Sequence, residues 1–298
     1  MSKIVFWKAN GFCSFLLERV LLAFALAGLS GCDNALIYLS LDKKESAGVF
    51  GKVSMFGTFG MCVASIVFTL FFSANFKAAA LATAIAYFAA FLITFFLIDI
   101  REEEKQKASI REYLSVIHLV IHMLPLLLAS VLLTETTHIL TTFYNQLQYT
   151  RVGIPVSMYG ILYLVIQFVS LSTGLLDNIL LYIRKEKLGI VLFCVALCSV
   201  IGLVFATTWF ISVLWIAVLM CVETMYFSIL NAMENEAIEN THRATTLSIF
   251  SLVTNLCTCF TDVAFGYAVQ HSLLCAYGLA CVFVICGLLV FIKWIKLS

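Results

Sequence analysis

Residues 117–147 read IHLVIHMLPLLLASVLLTETTHILTTFYNQL. The stretch is well beyond the roughly 20 predominantly apolar residues that cross a hydrocarbon core. Within it Glu135, His138, Thr142 and Asn145 recur every three to four positions, and at about 100° per residue they fall within about 80° of one another on a helical wheel. An apolar helix with a single polar stripe is expected to turn that stripe away from lipid. An ionisable group at membrane depth costs about 2.5–3.5 kcal/mol on insertion scales, so it normally faces a bundle interior or a wet cavity.

The rest of the chain repeats this pattern. Of 298 residues, 62% are hydrophobic and 12% charged, against roughly half and a quarter in soluble domains. A soluble chain of this size has no way to hide so much apolar surface in one core. The same composition excludes disorder, a collagen-like chain, a secreted disulfide scaffold and a nucleic-acid partner. The fold class is therefore an all-α polytopic membrane protein with the lipid bilayer as its first partner. Nine stretches are long and apolar enough to span, at about 11–40, 50–73, 78–99, 117–147, 156–182, 188–207, 209–232, 244–269 and 272–295. From Arg101 the chain reads REEEKQKASIREY, too charged for lipid. The expected organisation is a three-helix part over 1–99, a charged cytoplasmic linker over 100–113 and a six-helix bundle over 114–298.

Net charge is +1, so the placement of charges carries the information rather than their sum. If the first span runs from outside to inside, 13 Lys and Arg fall on inner loops and four (Lys3, Lys8, Lys77, Arg151) outside, with Arg19 inside the first span. The excess of basic residues marks the cytoplasmic side. This predicts an N-terminus outside and a C-terminus inside, with Lys3 and Lys8 awkwardly placed. Leu29-Ser-Gly-Cys32 followed by Asp33 also looks like a lipoprotein cleavage box. That reading would invert every later span, and the small residues Gly28, Ser30 and Gly31 equally suit close helix packing.

Other spans carry stripes of their own. Ser248, Ser251, Asn255, Thr258 and Asp262 share one face of the eighth span, and Tyr159, Tyr163, Gln167, Ser170 and Asp177 form a looser one on the fifth. Arg19, Ser30 and Asp33 share a side of the first, and Glu223 and Tyr226 stand three apart in the seventh. Hydroxyls in membrane helices often serve only as interhelical glue, worth about 0.6 kcal/mol each. The ionisable groups Arg19, Glu135, Glu223 and Asp262 are the better candidates for a hydrated pathway. His138, one turn after Glu135, suits proton exchange or a structural hydrogen bond. Glu18 and Arg19 are adjacent and on a helix do not face each other, so each is expected to find a partner elsewhere. Asp177 precedes Arg184, Lys185 and Lys187, where a charged gate or a solvated loop mouth would fit.

Three segments resemble the major facilitator superfamily of secondary transporters. Residues 30–41, SGCDNALIYLSL, resemble the inner end of the family's fourth helix. Residues 172–187, STGLLDNILLYIRKEK, resemble a degenerate loop between helices eight and nine, with Leu175-Leu176-Asp177 at its L-A-D core. Residues 243–252, RATTLSIFSL, preceded by Asn231 and Glu234, resemble the entry to helix eleven. The resemblance implies that the nine spans correspond to helices four to twelve, with helices one to three missing. Arg19 resembles the arginine of the fourth-helix R-x-x-Q-G motif, but Leu22-Ala23 replaces Gln-Gly, and the antiporters' glycine-proline signature is lacking.

In family terms a small solute would bind near the midplane between bundles and cross by alternating access. The pathway or coupling candidates are Arg19, Asp33, Glu135, His138, Asn145, Gln167, Glu223, Tyr226, Asn255 and Asp262. The inner gate candidates are Asp177, Arg184, Lys185 and Arg243. Ion or proton coupling through the carboxylates is an expectation, as is a bacterial plasma membrane as the location. The alternative is a truncated or accessory protein that transports nothing alone, with another chain or segment supplying the missing helices. An enzyme is not expected. The 11 cysteines show no zinc spacing, no nucleophile elbow is present, and His118 and His122 flank Leu119 where H-E-x-x-H needs its acid. No cofactor and no metal are expected.

Overall fold

The computed structural model describes residues 2–29, 46–73, 75–96, 110–170, 182–238 and 243–297. All regular structure among them is helical. Helices α1 (Ser2–Lys8), α2 (Phe12–Leu29), α3 (Ser46–Val67) and α4 (Phe76–Thr94) come first. Then follow α5 (Ile110–His138), α6 (Asn145–Arg151), α7 (Tyr159–Ser170), α8 (Lys185–Phe205), α9 (Trp209–Ala237), α10 (Arg243–His271) and α11 (Leu273–Leu297). Six described segments are long and apolar enough to span a membrane: Phe76–Thr94, Ile117–Phe143, Lys185–Phe205, Trp209–Glu234, Thr246–His271 and Leu273–Lys296. Phe59–Phe72 and Val156–Phe168 are shorter apolar helices. Helix starts at Ile110, so the last residues assigned to the charged linker already belong to α5.

The chain forms two compact units, Met1–Gln106 with Val156–Ile161, and Lys107–Pro155 with Leu162–Ser298. The sequence places 156–161 with the later helices, and Gly160 explains the difference. A Cβ there would collide with the Thr69 hydroxyl and come within 2.7 Å of the Ser65 carbonyl, so only a glycine lets this segment lie against α3 and its end.

In the first unit α1 packs on both α2 and α4. Glu18 is fully buried there; its Oε1 accepts from Lys3 Nζ at 3.1 Å and the Ser2 hydroxyl at 3.3 Å, while Arg19 Nε lies 3.0 Å from Oε2 as an ion pair without a hydrogen bond. The expectation that each finds a partner elsewhere holds for Glu18, with Lys3 and Ser2, and is corrected for Arg19, whose ion-pair contact is Glu18 itself. Successive Cβ atoms diverge on a helix, but both side chains are long enough to fold back to each other. Lys3, awkward as a topology signal, is a counter-charge to a buried carboxylate. Asn75 caps α4, its Oδ1 accepting the Ala78 N–H at 3.0 Å.

The second unit is a bundle in which α11 packs on α5 and α8, α8 on α9, and α10 on α5. Lipid tails are as apolar as leucine, so close van der Waals packing of small residues holds such helices together. On α11 the buried positions Ala276, Ala280, Val284 and Phe291 fall on one stripe with Gly287 among them. Phe193 of α8 and Phe291 of α11 are fully buried, with ring centroids 5.5 Å apart, and Tyr226 of α9 completes the cluster at 5.5 Å from Phe193. A Cβ on Gly189 would come within 2.7 Å of the Phe291 ring, so the aromatic core occupies the space that glycine leaves.

The end of α5 departs from regular geometry. Residues Ile139–Phe143 form a π-helical turn, closed by Tyr144 N–H to the Ile139 carbonyl at 2.8 Å. Thr136, Thr137 and Thr141 direct their hydroxyls back to preceding carbonyls around this turn. Such single π-turns amount to one extra residue in an α-helix and occur often at functional sites. Beyond it, α6 ends at Gly153 in a left-handed conformation (φ 77°) that suits glycine.

Candidate functional site

The second unit carries two adjoining, partly open cavities. The larger, about 440 Å³, is walled by Ser130, Val131, Thr134 and Glu135 of α5 and by Phe227, Leu230, Asn231 and Glu234 of α9. Leu247, Ser251, Thr254, Asn255 and Thr258 of α10 close it. The second, about 400 Å³, lies between Thr134, Glu135 and His138 on α5 and Glu223, Thr224 and Phe227 on α9. Glu135, Thr134 and Phe227 line both.

Glu135 lines both cavities, His138 and Glu223 line the second, and the exposed Asp262 lies nearby on α10 without lining either. His138 Nδ1 and Glu223 Oε1 are 3.0 Å apart, and the Thr141 hydroxyl donates to Glu223 Oε2 at 2.9 Å. The Thr142 hydroxyl stands 3.5 Å from His138 Nδ1. The Glu135 carboxyl reaches the Thr258 hydroxyl, and Asp262, His138 and Glu223 all lie close enough for their charges to act on it. Asp262 also acts on His138, so α5, α9 and α10 each contribute to one electrostatic group. The Thr141 contact depends on the π-turn, which sets Thr141 and His138 on the same carboxylate. Proton transfer among Glu135, His138 and Glu223 is within the chemistry of such a group. Among the described residues no three His, Cys, Asp or Glu side chains converge as metal ligands, and the described cysteines are free thiols.

The structure therefore brings together Glu135, His138, Glu223, Asn255 and Asp262. It places other sequence candidates elsewhere. Tyr226 is 1% exposed and hydrogen-bonds Ser130 Oγ at 3.0 Å inside the aromatic core, so it does not line either cavity. Asn145 is buried, its Oδ1 taking the Gln146 N–H at 2.6 Å, because the π-turn rotates it off the face that Glu135 occupies. Gln167 donates to the Tyr163 hydroxyl at 3.0 Å one turn away. Arg19 belongs to the first unit and pairs with Glu18. Arg184 pairs with Glu186 at 3.3 Å, and Lys185 with Glu236 at the far end of α9. Arg243 opens α10; Asp33 and Asp177 lie outside the described residues.

Two site features were not assigned from sequence. Glu234, 9% exposed, lines the larger cavity. The spacing Glu223, Phe227, Asn231, Glu234 is a helical stripe that could have shown it. The other is Gln148, fully buried beyond the π-turn. It donates to Ser212 Oγ at 2.8 Å and accepts from the Tyr277 hydroxyl at 3.0 Å. Arg151 reaches Gln148 Oε1 at 3.4 Å and the Val204 carbonyl at 3.1 Å. This polar knot joins α6 to α8, α9 and α11.

Helices of membrane-spanning length, with ionisable groups on the walls of partly open cavities, suit an integral membrane protein. The family model described as Major Facilitator Superfamily matches residues 4–261, and the chain belongs to that family of secondary transporters. Among solved structures it is similar to a bacterial homologue of the human lysosomal transporter Spinster, in an inward-facing and unoccupied conformation. That match has 14% identity and a TM-score of 0.58, covering 99% of this chain and 79% of that one. At this identity the likeness speaks for the fold. No curated protein matches the chain.

Proposed function

We propose that the protein moves a small solute by alternating access and couples that movement to protons through Glu135, His138 and Glu223, with Asp262 beside them. The observation that carries this is the hydrogen bond of His138 to Glu223 on the wall of the second cavity, with Glu135 lining both. Histidine is the side chain whose unperturbed chemistry best suits gaining and losing a proton under physiological conditions. Ionisable groups held at membrane depth are costly, and in this family they mark solute and ion routes. The larger cavity lies within the usual range for small-ligand sites, about 300–1,000 Å³.

The test uses the full chain in proteoliposomes loaded with a pH-sensitive dye, a panel of small solutes and an imposed proton gradient. The expected result is solute movement that the gradient drives, with Glu135→Gln and Glu223→Gln each uncoupling it. Gradient-driven movement that survives Glu135→Gln overturns the proposed coupling. The reading also includes an outside N-terminus and a cytoplasmic C-terminus, from the excess of basic residues on the other set of loops. Reporter fusions near residue 1, in the 100–113 segment and at residue 298 test it, and an inside N-terminus would invert the scheme.

A further inference from the structure

The larger cavity carries an uneven set of charges. Glu234 is 9% exposed and lines it, yet among the described residues its carboxylate has no hydrogen-bond or ion-pair partner. Glu135 stands at the other limit of the same cavity, and among the described residues no Lys, Arg or His lines it. Hydroxyls and amides fill the wall between: Ser251, Thr254 and Asn255 from α10 and Asn231 from α9. Apolar contact comes from Phe227 and Leu230. The lining runs from Leu247 to Thr258 along α10, which at 1.5 Å per residue is a slot roughly 16 Å long.

A buried carboxylate without a partner is expensive in a low-dielectric setting, and a bound counter-charge removes that cost. We propose that this slot binds an organic cation, a small protonated amine whose ammonium sits on Glu234 and whose remaining polar groups meet the α10 hydroxyls and amides. An anion would meet two carboxylates and, among the described residues, no positive side chain. A neutral polyol would satisfy the hydroxyls but leave Glu234 uncompensated. The assignment rests on the reading of this cavity as the solute pathway, and it names the chemistry of the solute. In this arrangement solute and proton are handled at opposite ends of one slot, with Glu135 common to both.

The experiment is calorimetric titration of the full chain, purified in detergent, with putrescine, spermidine and phenethylamine as amines, mannitol as a neutral polyol and adipate as a dianion. The expected result is saturable binding of at least one amine, no binding of mannitol or adipate, and affinity at least tenfold weaker in Glu234→Gln. Glu234→Asp, which keeps the charge, is expected to fall in between, and monodisperse elution checks that both variants fold. Absence of amine binding to the unmodified chain overturns the proposal, as does equal binding of mannitol or adipate. Amine affinity unchanged in Glu234→Gln also overturns it. Gradient-driven movement of a neutral or anionic solute would refute this assignment and leave the proton coupling standing. Amine binding without gradient-driven movement does the reverse.

Discussion

Gly287 on α11 is a position where α8 and α5 both press close, and its replacement by alanine tests the packing of the site's scaffold. A Cβ at this position would lie 2.8 Å from Phe193 Cε1, 3.2 Å from the Ala129 carbonyl oxygen and 3.2 Å from Leu132 Cβ. None of the three can yield cheaply. Phe193 is fully buried against Tyr226 and Phe291, and the other two atoms belong to the backbone and the first side-chain carbon of α5. Overpacking of this kind costs about 1–3 kcal/mol. In the opposite sense, Gly→Ala in a helix gains about 1 kcal/mol of propensity. Gly278, on the same helix with nothing within 4 Å of its would-be Cβ, isolates that gain. The expected outcome is that Gly278→Ala melts at or above the unmodified chain, while Gly287→Ala is about 1–3 kcal/mol less stable than Gly278→Ala. Thermal unfolding of the full chain in detergent, followed by fluorescence, measures this. Gly287→Ala as stable as Gly278→Ala would refute the claimed contact between α11 and α5. Because α5 also carries Ser130 and Glu135, the variant is further expected to lower solute transport.

Three further outcomes follow from particular contacts. Tyr226→Phe removes only the bond to Ser130, whose hydroxyl keeps the Leu126 carbonyl at 2.7 Å, so a loss of about 0.5–1.5 kcal/mol in unfolding and unchanged transport are expected. Gln148→Leu leaves the buried Tyr277 and Ser212 hydroxyls without this partner, at about 1–3 kcal/mol each, and a clear fall in Tm is the readout. Lys3→Met removes a charged partner from Glu18 and should cost about 1.5–3 kcal/mol, with Glu18→Gln in the same chain restoring most of the Tm.

The spans were legible because hydropathy over some 20 residues is a strong signal. The segments at 117–147 and 244–269 even showed which face would be polar, since α10 runs as an uninterrupted helix from Ser251 through Asn255 to Asp262. The same arithmetic failed for Asn145. A wheel assumes a constant 100° per residue, and the π-turn at Ile139–Phe143 inserts one residue, which rotates everything after it by about that angle. Glu234 was not assigned to the site for a different reason. It lies at the end of an apolar run, where an acidic residue ordinarily meets water, and only the packing of α9 against α5 shows that it is enclosed. Tyr226 was grouped with Glu223 by spacing alone, but three residues is 60° off, enough to carry the ring into the core with Phe193. The partner of Glu18 was out of reach because α1 is too short and too polar at its ends to be read as a helix that folds back.

The Gln148 knot makes the six-helix unit mechanically lopsided. At one end, α6 is fastened to α9 and α11 by neutral hydrogen bonds sealed from solvent, which salt does not screen, and to α8 through the exposed Arg151. At the opposite end, α8 and α9 are joined by Lys185 and Glu236, a pair with Glu236 two-thirds exposed, and solvated pairs of this kind hold by only about 0–1 kcal/mol. If such a unit opens, it would open at the end held by the solvated pair, where the helix tips would separate most. Glu234 sits near the tips, two residues before Glu236, and Glu135 nearer the fastened end. Each opening would therefore change the surroundings of the first far more than those of the second.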